Sequence, residues 1–133
     1  MSYKKLEIWQ SARQLVIDIH NMTLNELPKF EMFEEGGQIR RSIKSVKSTI
    51  VEGYGRRKYL QEYIRFLTYS ISSNDETIDH LETLWDTKSL TNSGLFNDLD
   101  KRLNILGKRL NCFLQTLEKS KIDNNQKPAA KIQ

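Results

Sequence analysis

The chain has few residues that interrupt a helix and few that could build a covalent or metal-bound framework. Its 133 residues include one Cys, two Pro and six Gly. Because Pro and Gly are the main helix breakers, long uninterrupted helices are expected. A single cysteine excludes an internal disulfide and a cysteine metal cluster. Cys112 stands among Leu110, Phe113 and Leu114, so we predict that it is a small core residue.

Long hydrophobic runs are also missing. The longest aliphatic run is Leu15-Val16-Ile17, far shorter than a membrane span. The first ten residues, MSYKKLEIWQ, lack the apolar segment of a signal peptide. We therefore expect a cytoplasmic protein without a membrane partner.

Histidine is scarce, and its surroundings argue against the usual catalytic sites of helical bundles. A di-iron bundle needs Glu-x-x-His motifs, but Thr77 precedes His80 by three residues and Ile17 precedes His20. His80 lies among acidic residues and is predicted to be a solvated helix residue. The segment GYGRR lacks the Gly-Lys-Ser/Thr ending of a phosphate loop. We predict no catalytic residues, no metal, no cofactor and no enzymatic activity.

Charge is distributed in blocks of alternating sign. The net charge is +4, yet residues 1–35 carry −2, residues 36–65 carry +6, residues 66–100 carry −6 and residues 101–133 carry +6. Such alternation indicates elements that complement one another, within the chain or between copies.

Apolar residues recur with helical spacing and nowhere with sustained strand alternation. The four predicted helices cover residues 5–27, 35–53, 58–87 and 94–119. Short connections make sequential helices antiparallel neighbours, so the fold class predicted is all-α, an up-down-up-down four-helix bundle. Asn92 and Ser93 are N-cap candidates for the fourth helix. The bundle domain spans 1–119, and residues 120–133 lose the pattern and are predicted to be a disordered tail.

The predicted core consists of four apolar seams with spacings of three and four residues. Those of the first two helices are Leu6, Trp9, Ala12, Leu15, Val16 and Ile19, then Ile39, Ile43, Val46 and Ile50. Those of the last two are Leu60, Ile64, Leu67, Ile71, Asn74, Ile78, Leu81 and Trp85, then Leu99, Leu103, Leu106, Leu110, Phe113 and Leu117. Asn74 either fixes register or oligomeric state, or is satisfied by a neighbouring side chain.

A run of cations on the second helix and the turn after it is the main functional candidate. Its members are Arg40, Arg41, Lys44, Lys47, Arg56, Arg57 and Lys58. One interpretation pairs the helical cations with the acidic stripe of the third helix, which is Asp75, Asp79, Glu82 and Asp86. Helical rise places Arg40 level with about residue 73, within reach of Asp75, but Lys47 level with about residue 66, below the acids, so part of the stripe stays free for a polyanion.

The turn itself allows structural and functional interpretations. Gly53 is predicted to form a left-handed C-terminal cap and Gly55 to relax the turn. Glu52 is unfavourable near a helix C-terminus unless Arg56 or Arg40 pairs with it. Arg56 and Arg57 could serve only the helix dipole. Tyr54 and Tyr59 either stack on unpaired bases or pack on the turn.

The residues also resemble a known family. Four parts of the chain are similar to the signature of bacterial four-helix-bundle proteins labelled S23 or 23S rRNA-intervening sequence proteins. They are the opening Leu6-Glu7-Ile8-Trp9-Gln10-Ser11-Ala12, the segment Gln38-Ile39-Arg40-Arg41, the segment Ile50-Val51-Glu52-Gly53-Tyr54-Gly55-Arg56, and the positions Phe66-Leu67, Ser73 and Glu76-Thr77. The similarity covers roughly residues 3–118. Thr49 replaces a usual Asn, and Ser70 and Ser72 lie near positions that usually hold Ala or Gly.

The resemblance implies a non-catalytic bundle that assembles into a homopentameric ring. It also implies a relation to the accessory protein of diversity-generating retroelements, which binds RNA and a reverse transcriptase through a basic surface. Gln38, Glu52, Gly53 and Gly55 are then structural motif residues. Glu52, Arg40 and Arg41 are either part of a buried polar network beside Gln38, or the two arginines belong to the binding surface. We favour an oligomer that binds RNA, and a structural or protein-binding scaffold is the alternative.

Overall fold

The computed structural model describes residues 2–126, and within them four α-helices form an antiparallel up-down-up-down bundle. The helices are α1 (Glu7–Asn25), α2 (Glu35–Gly55), α3 (Leu60–Asp86) and α4 (Ser93–Gln126). Short 3-10 helices at Tyr3–Lys5 and Lys29–Phe33 precede α1 and α2. Each helix packs on two neighbours in the cyclic order α1, α2, α3, α4. The predicted fold class is confirmed, and no helix within the described range is long and apolar enough to cross a membrane.

Three of the four predicted seams face the interior. Ile39, Ile43, Val46 and Ile50 of α2 and Leu99, Leu103, Leu106 and Leu110 of α4 are almost completely buried. On α1 the buried set is Ile8, Ala12, Leu15, Ile19 and Met22, while the predicted Leu6, Trp9 and Val16 are only partly buried. The α4 N-cap prediction is also confirmed, because Asn92 Oδ1 accepts the Leu95 amide at 3.0 Å.

The buried face of α3 differs from its predicted seam. Leu67, Asn74 and Leu81 are buried as predicted, but Ile64, Ile71 and Ile78 are only partly buried and Trp85 is 36% exposed. The remaining buried positions are Tyr63, Ser70, Thr77 and Leu84. The helix is therefore rotated by about one residue from the orientation that hydropathy alone predicts.

Small hydroxyl residues explain this rotation, because they join α3 to α2. The side-chain oxygens of Thr49 and Ser70 lie 2.6 Å apart, those of Ser45 and Ser73 lie 3.0 Å apart, and those of Ser42 and Thr77 lie 2.8 Å apart. These residues satisfy one another, so polar side chains can occupy a close helix interface without large aliphatic groups. We call this set the hydroxyl ladder.

Asn74 links α3 to α4 inside the core. It is fully buried, and its Nδ2 donates to the Leu103 carbonyl at 2.9 Å. A Cβ on Gly107 would lie 3.1 Å from that nitrogen, so the glycine allows the approach. The predicted satisfaction by a neighbour is found only for Nδ2, whose partner is a backbone carbonyl rather than a side chain; the buried Oδ1 has no hydrogen-bond partner among the described protein atoms.

The N-terminus of α2 is held by a buried carboxylate. Glu31 is 5% exposed, and its Oε1 accepts the Glu35 amide at 3.1 Å while its Oε2 accepts the Ser89 hydroxyl at 2.5 Å. A Cβ on Gly36 would lie 2.4 Å from the Glu31 carbonyl oxygen. This glycine is therefore required for the turn between the 3-10 helix and α2.

Two sequence predictions about α4 are wrong. Cys112 is exposed rather than part of the core, because it comes two residues after the buried Leu110 and so points to the opposite side of the helix. The helix also continues to Gln126, so residues 120–126 of the predicted disordered tail are helical. Residues 127–133 lie outside the described range. With Phe113 packed on Tyr63 near the start of α3, the last turns of α4 extend beyond the bundle.

Candidate nucleic-acid interface

Charge is separated along the bundle axis. Because the helices are antiparallel, residues 2–15, 45–73 and 105–124 share one half of the bundle. They carry 12 Lys and Arg against 5 Asp and Glu. The other half, formed by residues 16–44 and 74–104, carries 7 against 12. We call these the basic half and the acidic half.

The cations of the basic half concentrate at its outer end, where α2 turns into α3 and α4 projects. Seven exposed cations lie there, which we call the basic tip: Lys4, Lys5, Arg56, Arg57, Lys58, Lys119 and Lys121. Three of them were predicted as binding residues. The other four, Lys4, Lys5, Lys119 and Lys121, lie near the two ends of the chain. The predicted helix directions could have identified them. Once α1 and α4 are antiparallel, the start of the first and the end of the second must meet.

Arg40 does not belong to an accessible cation surface. Its Nη1 donates to Thr23 Oγ1 at 2.9 Å and its Nη2 donates to the Met32 carbonyl at 2.5 Å. The side chain therefore ties α2 to the end of α1 and to the following 3-10 helix. The predicted pairing with Asp75 is wrong, because the guanidinium points to α1 instead of α3.

The remaining α2 cations form a stripe that is open to solvent on one side. Arg41 and Lys44 are exposed and Lys47 is half-buried. Among the described side chains, none of the three forms an ion pair. The acidic stripe of α3 likewise forms no ion pair with any described side chain. The interpretation that pairs the two stripes with each other is thus wrong, and both remain available to a partner.

Arg56 is the centre of an ion-pair network at the turn. It lies 3.5 Å from Glu52 and 3.5 Å from Glu62, whose other oxygen is 3.7 Å from Arg65. The predicted partner of Glu52 is confirmed as Arg56. Because these groups are substantially exposed, the network contributes little to stability. Its main effect is to neutralise the two carboxylates nearest the turn.

Arg57 and Tyr54 form the inner side of the turn. Arg57 Nη1 donates to the Tyr54 carbonyl at 2.9 Å, and its guanidinium lies 4.1 Å from the centre of the Tyr54 ring. Tyr54 is 9% exposed and packs edge-on against Tyr63. Of the two interpretations of Tyr54, packing on the turn is therefore found. Burial, with a smaller contribution from Tyr54, raises the pKa of Tyr63 to about 12.

The glycines of the turn have different roles from those predicted. The residues described include no glycine with a positive φ, and α2 continues to Gly55, so Gly53 is not a left-handed cap. A Cβ on Gly53 would lie 3.1 to 3.2 Å from Leu67, Phe66 and Tyr63. Gly53 is thus a close-packing position. A Cβ on Gly55 would meet nothing within 4 Å.

Gln38 stands apart from the other motif residues. It is exposed on the first turn of α2, about 21 Å along the helix from Glu52. The proposed polar network of Gln38, Glu52, Arg40 and Arg41 is therefore wrong. His80 also departs from its prediction, because it is mostly buried and its Nδ1 lies 2.9 Å from Glu35. The described residues contain no cluster of three or more His, Cys, Asp or Glu that could hold a metal.

Beside the predicted Lys58 and Tyr59 lie three residues that sequence reasoning did not assign to a site. Lys58 and Tyr59 are exposed, and on the adjoining face of α3 lie Arg65, Phe66 and Tyr69. Arg65 Nε donates to the Tyr69 hydroxyl at 2.7 Å. This hydrogen bond is the main reason that the pKa of Arg65 is raised. The four-residue spacing of Arg65 and Tyr69 is a signal that the sequence carries, but hydropathy does not register it.

Comparisons with known proteins agree with this architecture. The sequence profile of the 23S rRNA-intervening sequence protein family matches residues 4–112. One similar crystal structure is a protein of unknown function from the S23 ribosomal protein family of Bacteroides thetaiotaomicron. The two sequences are 20% identical, and the alignment covers 80% of this chain and 97% of the other chain. The structures superpose with a TM-score of 0.72. At this identity the likeness concerns the fold alone. No curated protein sequence matches the chain significantly.

Proposed function

The chain belongs to the 23S rRNA-intervening sequence protein family, and we propose that it is a non-enzymatic homo-oligomer that binds RNA through the basic tip of its bundle. The observation that carries the proposal is the separation of charge along the axis, with 12 cations against 5 anions in the basic half. A surface of this kind attracts a phosphate backbone through counterion release.

The assignment of contact residues follows from their accessibility. Arg57, Lys58 and Arg56 keep their predicted role, joined by the terminal lysines of the basic tip. Arg41, Lys44 and Lys47 form a secondary stripe, which lies partly in the acidic half. Arg40 is left out because its guanidinium is engaged by Thr23 and Met32. Phosphate contacts of this kind position RNA without reading its sequence.

Oligomerisation would strengthen such binding. A homopentameric ring, which the family resemblance implies, would repeat the basic tip in every subunit. Weak phosphate contacts then act together through a high effective concentration. The exposed acidic stripe of α3 supports assembly, because it is complementary in charge to the basic half of a neighbour. A protein partner such as a reverse transcriptase stays a prediction of the resemblance.

The test is a titration of fluorescent single-stranded RNA at several salt concentrations with three charge variants. The tip variant replaces Lys4, Lys5, Lys58 and Lys119 by Gln. The stripe variant replaces Arg41, Lys44 and Lys47 by Gln. The control, in the acidic half, replaces Lys29, Lys88 and Lys101 by Gln.

We expect the tip variant to lose most of the affinity. Each lost phosphate contact should lower the slope of log affinity against log salt by about 0.7. The stripe variant should lose less, and the control should bind nearly as the parent does. If the folded parent binds RNA no better than millimolar at low salt, or if the control loses as much as the tip variant, the proposal fails.

A scaffold that assembles through its charged faces is the second candidate. It is favoured by exposed apolar side chains at the acidic end, where Phe33 is 91% and Phe30 is 65% exposed. Exposed apolar groups of this kind often mark protein contacts. Light scattering at tens of micromolar in moderate salt tests assembly. Replacing Asp79 and Glu82 by Lys should reduce the oligomer mass if the contacts are electrostatic.

A further inference from the structure

Three aromatic side chains lie at the N-cap of α3 and on its first three turns. They are Tyr59, Phe66 and Tyr69, which we call the aromatic stripe. Tyr59 is 62% and Tyr69 is 41% exposed, and Phe66 is partly buried. The rings of Phe66 and Tyr69 meet edge-on with centroids 5.6 Å apart. Tyr59 and Tyr69 are ten residues apart, which is about 15 Å along the helix.

Each ring of the aromatic stripe has a cation beside it. The Arg56 guanidinium carbon lies 5.0 Å from the centroid of Phe66, and that of Arg65 lies 5.7 Å from the centroid of Tyr69. Lys58 Nζ lies 5.9 Å from the centroid of Tyr59. The hydrogen bond from Arg65 to the Tyr69 hydroxyl fixes the relative position of guanidinium and ring. Cations and aromatic faces are therefore interleaved along one surface.

Packing within the chain does not account for this arrangement. The two other tyrosines of the junction, Tyr54 and Tyr63, are buried and supply its core contacts. Tyr59 and Tyr69 are instead 62% and 41% exposed, so part of each side chain is accessible to a ligand. The carboxylates nearest the stripe, Glu52 and Glu62, are paired with arginines. An approaching phosphate therefore meets little repulsion.

We propose that the aromatic stripe is a stacking platform for unpaired RNA bases, with Arg65 and the cations of the turn holding the adjoining phosphates. This inference rests on the proposed RNA binding and makes it more specific. Bases have free faces only in single-stranded or looped RNA, because in a duplex each base is covered by its neighbours. The ligand is thus a single-stranded or looped segment, and the protein favours it over duplex.

The test compares three ligands of equal charge: a single-stranded oligoadenylate, an RNA duplex and a linear polyphosphate without bases. The Leu variant replaces Tyr59 and Tyr69 of the aromatic stripe by Leu. The Phe variant replaces both by Phe and so keeps the aromatic rings. The matched control, at the acidic end, replaces Phe30 and Phe33 by Leu. Circular dichroism and light scattering establish that each variant keeps its fold and its oligomer mass.

We expect the parent to bind the single strand at least tenfold more tightly than the duplex. The Leu variant should lose about tenfold for each stacked base, for the single strand only. The acidic-end control should keep the parent affinity. The Phe variant should keep most of it, because it retains both rings and loses only the hydrogen bond from Arg65 to the Tyr69 hydroxyl. Binding of polyphosphate should not change in any of them, because it has no bases to stack.

Other outcomes overturn the inference in distinguishable ways. If the parent binds RNA but the Leu variant binds the single strand equally well, stacking is absent while the proposed function stands. If the Leu variant changes the oligomer mass and leaves single-strand affinity intact, the stripe is a protein contact. If the parent binds no RNA at all, the proposed function fails, and the stacking platform fails with it.

Discussion

The side-chain oxygens of Thr77 on α3 and Ser42 on α2 lie 2.8 Å apart in the buried interior of the bundle. Thr77 Oγ1 also lies 2.8 Å from the Ser73 carbonyl, and Ser42 Oγ lies 3.1 Å from the Ile39 carbonyl. Both hydroxyls thus have a partner within their own helix and one across the interface. The hydroxyl ladder thus satisfies the polar side chains of the close α2–α3 contact, and a shift of one turn would leave one ladder residue on each helix without its partner.

The ladder predicts a coupled effect on stability. Replacing Thr77 by Val keeps the shape but removes a buried hydroxyl, and should lower the free energy of unfolding by about 1 kcal/mol. Replacing Ser42 by Ala should cost a similar amount. The double variant should cost less than the two together, because the partners share one hydrogen bond. Urea denaturation of the four proteins measures this, and strict additivity would contradict it.

The two glycines of the turn should respond in opposite ways to Ala. Gly53→Ala places a Cβ 3.1 to 3.2 Å from Leu67, Phe66 and Tyr63, and should destabilise the protein by about 1 to 3 kcal/mol. Gly55→Ala meets nothing within 4 Å and sits in a helix, so it should be neutral or stabilise by up to about 1 kcal/mol. Thermal unfolding distinguishes the two. Equal effects would show that helix propensity, and not packing, governs both sites.

Arg40 should be a stability residue rather than a binding residue. Arg40→Ala removes the hydrogen bonds to Thr23 and Met32 and should lower the free energy of unfolding by about 2 kcal/mol. Arg41→Ala, its exposed neighbour, should change stability by less than about 0.5 kcal/mol. Chemical denaturation and RNA titration are run on both variants. If Arg40→Ala lowers the affinity for RNA without lowering stability, Arg40 contacts RNA directly.

Tyr63 should make the bundle sensitive to strong alkali. Burial favours its neutral form and raises its pKa from 10.0 to about 12 in the folded state. The resulting stabilisation is complete below pH 10 and is lost as the pH rises through about 12, because the unfolded chain ionises first. Denaturation midpoints between pH 9 and 12 should fall less steeply for Tyr63→Phe, which cannot ionise. Parallel profiles for the two proteins would disprove this role.

The helices, their antiparallel order and the family were determined by the sequence itself. Helical periodicity is a local property, and the uninterrupted seams of α2 and α4 need no tertiary information to be read. The charge separation along the axis also follows from the sequence once helix directions are known. Asn92 as the cap of α4 and Arg56 as the partner of Glu52 depend on contacts within four residues, which explains why both predictions are confirmed.

Tertiary structure decided which faces meet and which charges stay free. Ser70 and Thr77 are polar by any hydropathy measure, and they are buried because Thr49 and Ser42 on another helix satisfy them together with carbonyls of their own helix. The role of Gly53 likewise depends on side chains of α3 rather than on its own backbone preference. Arg40 looks like its neighbour Arg41 in sequence, yet one is engaged by α1 and the other is exposed. Such differences arise from partners far along the chain, which no local pattern contains.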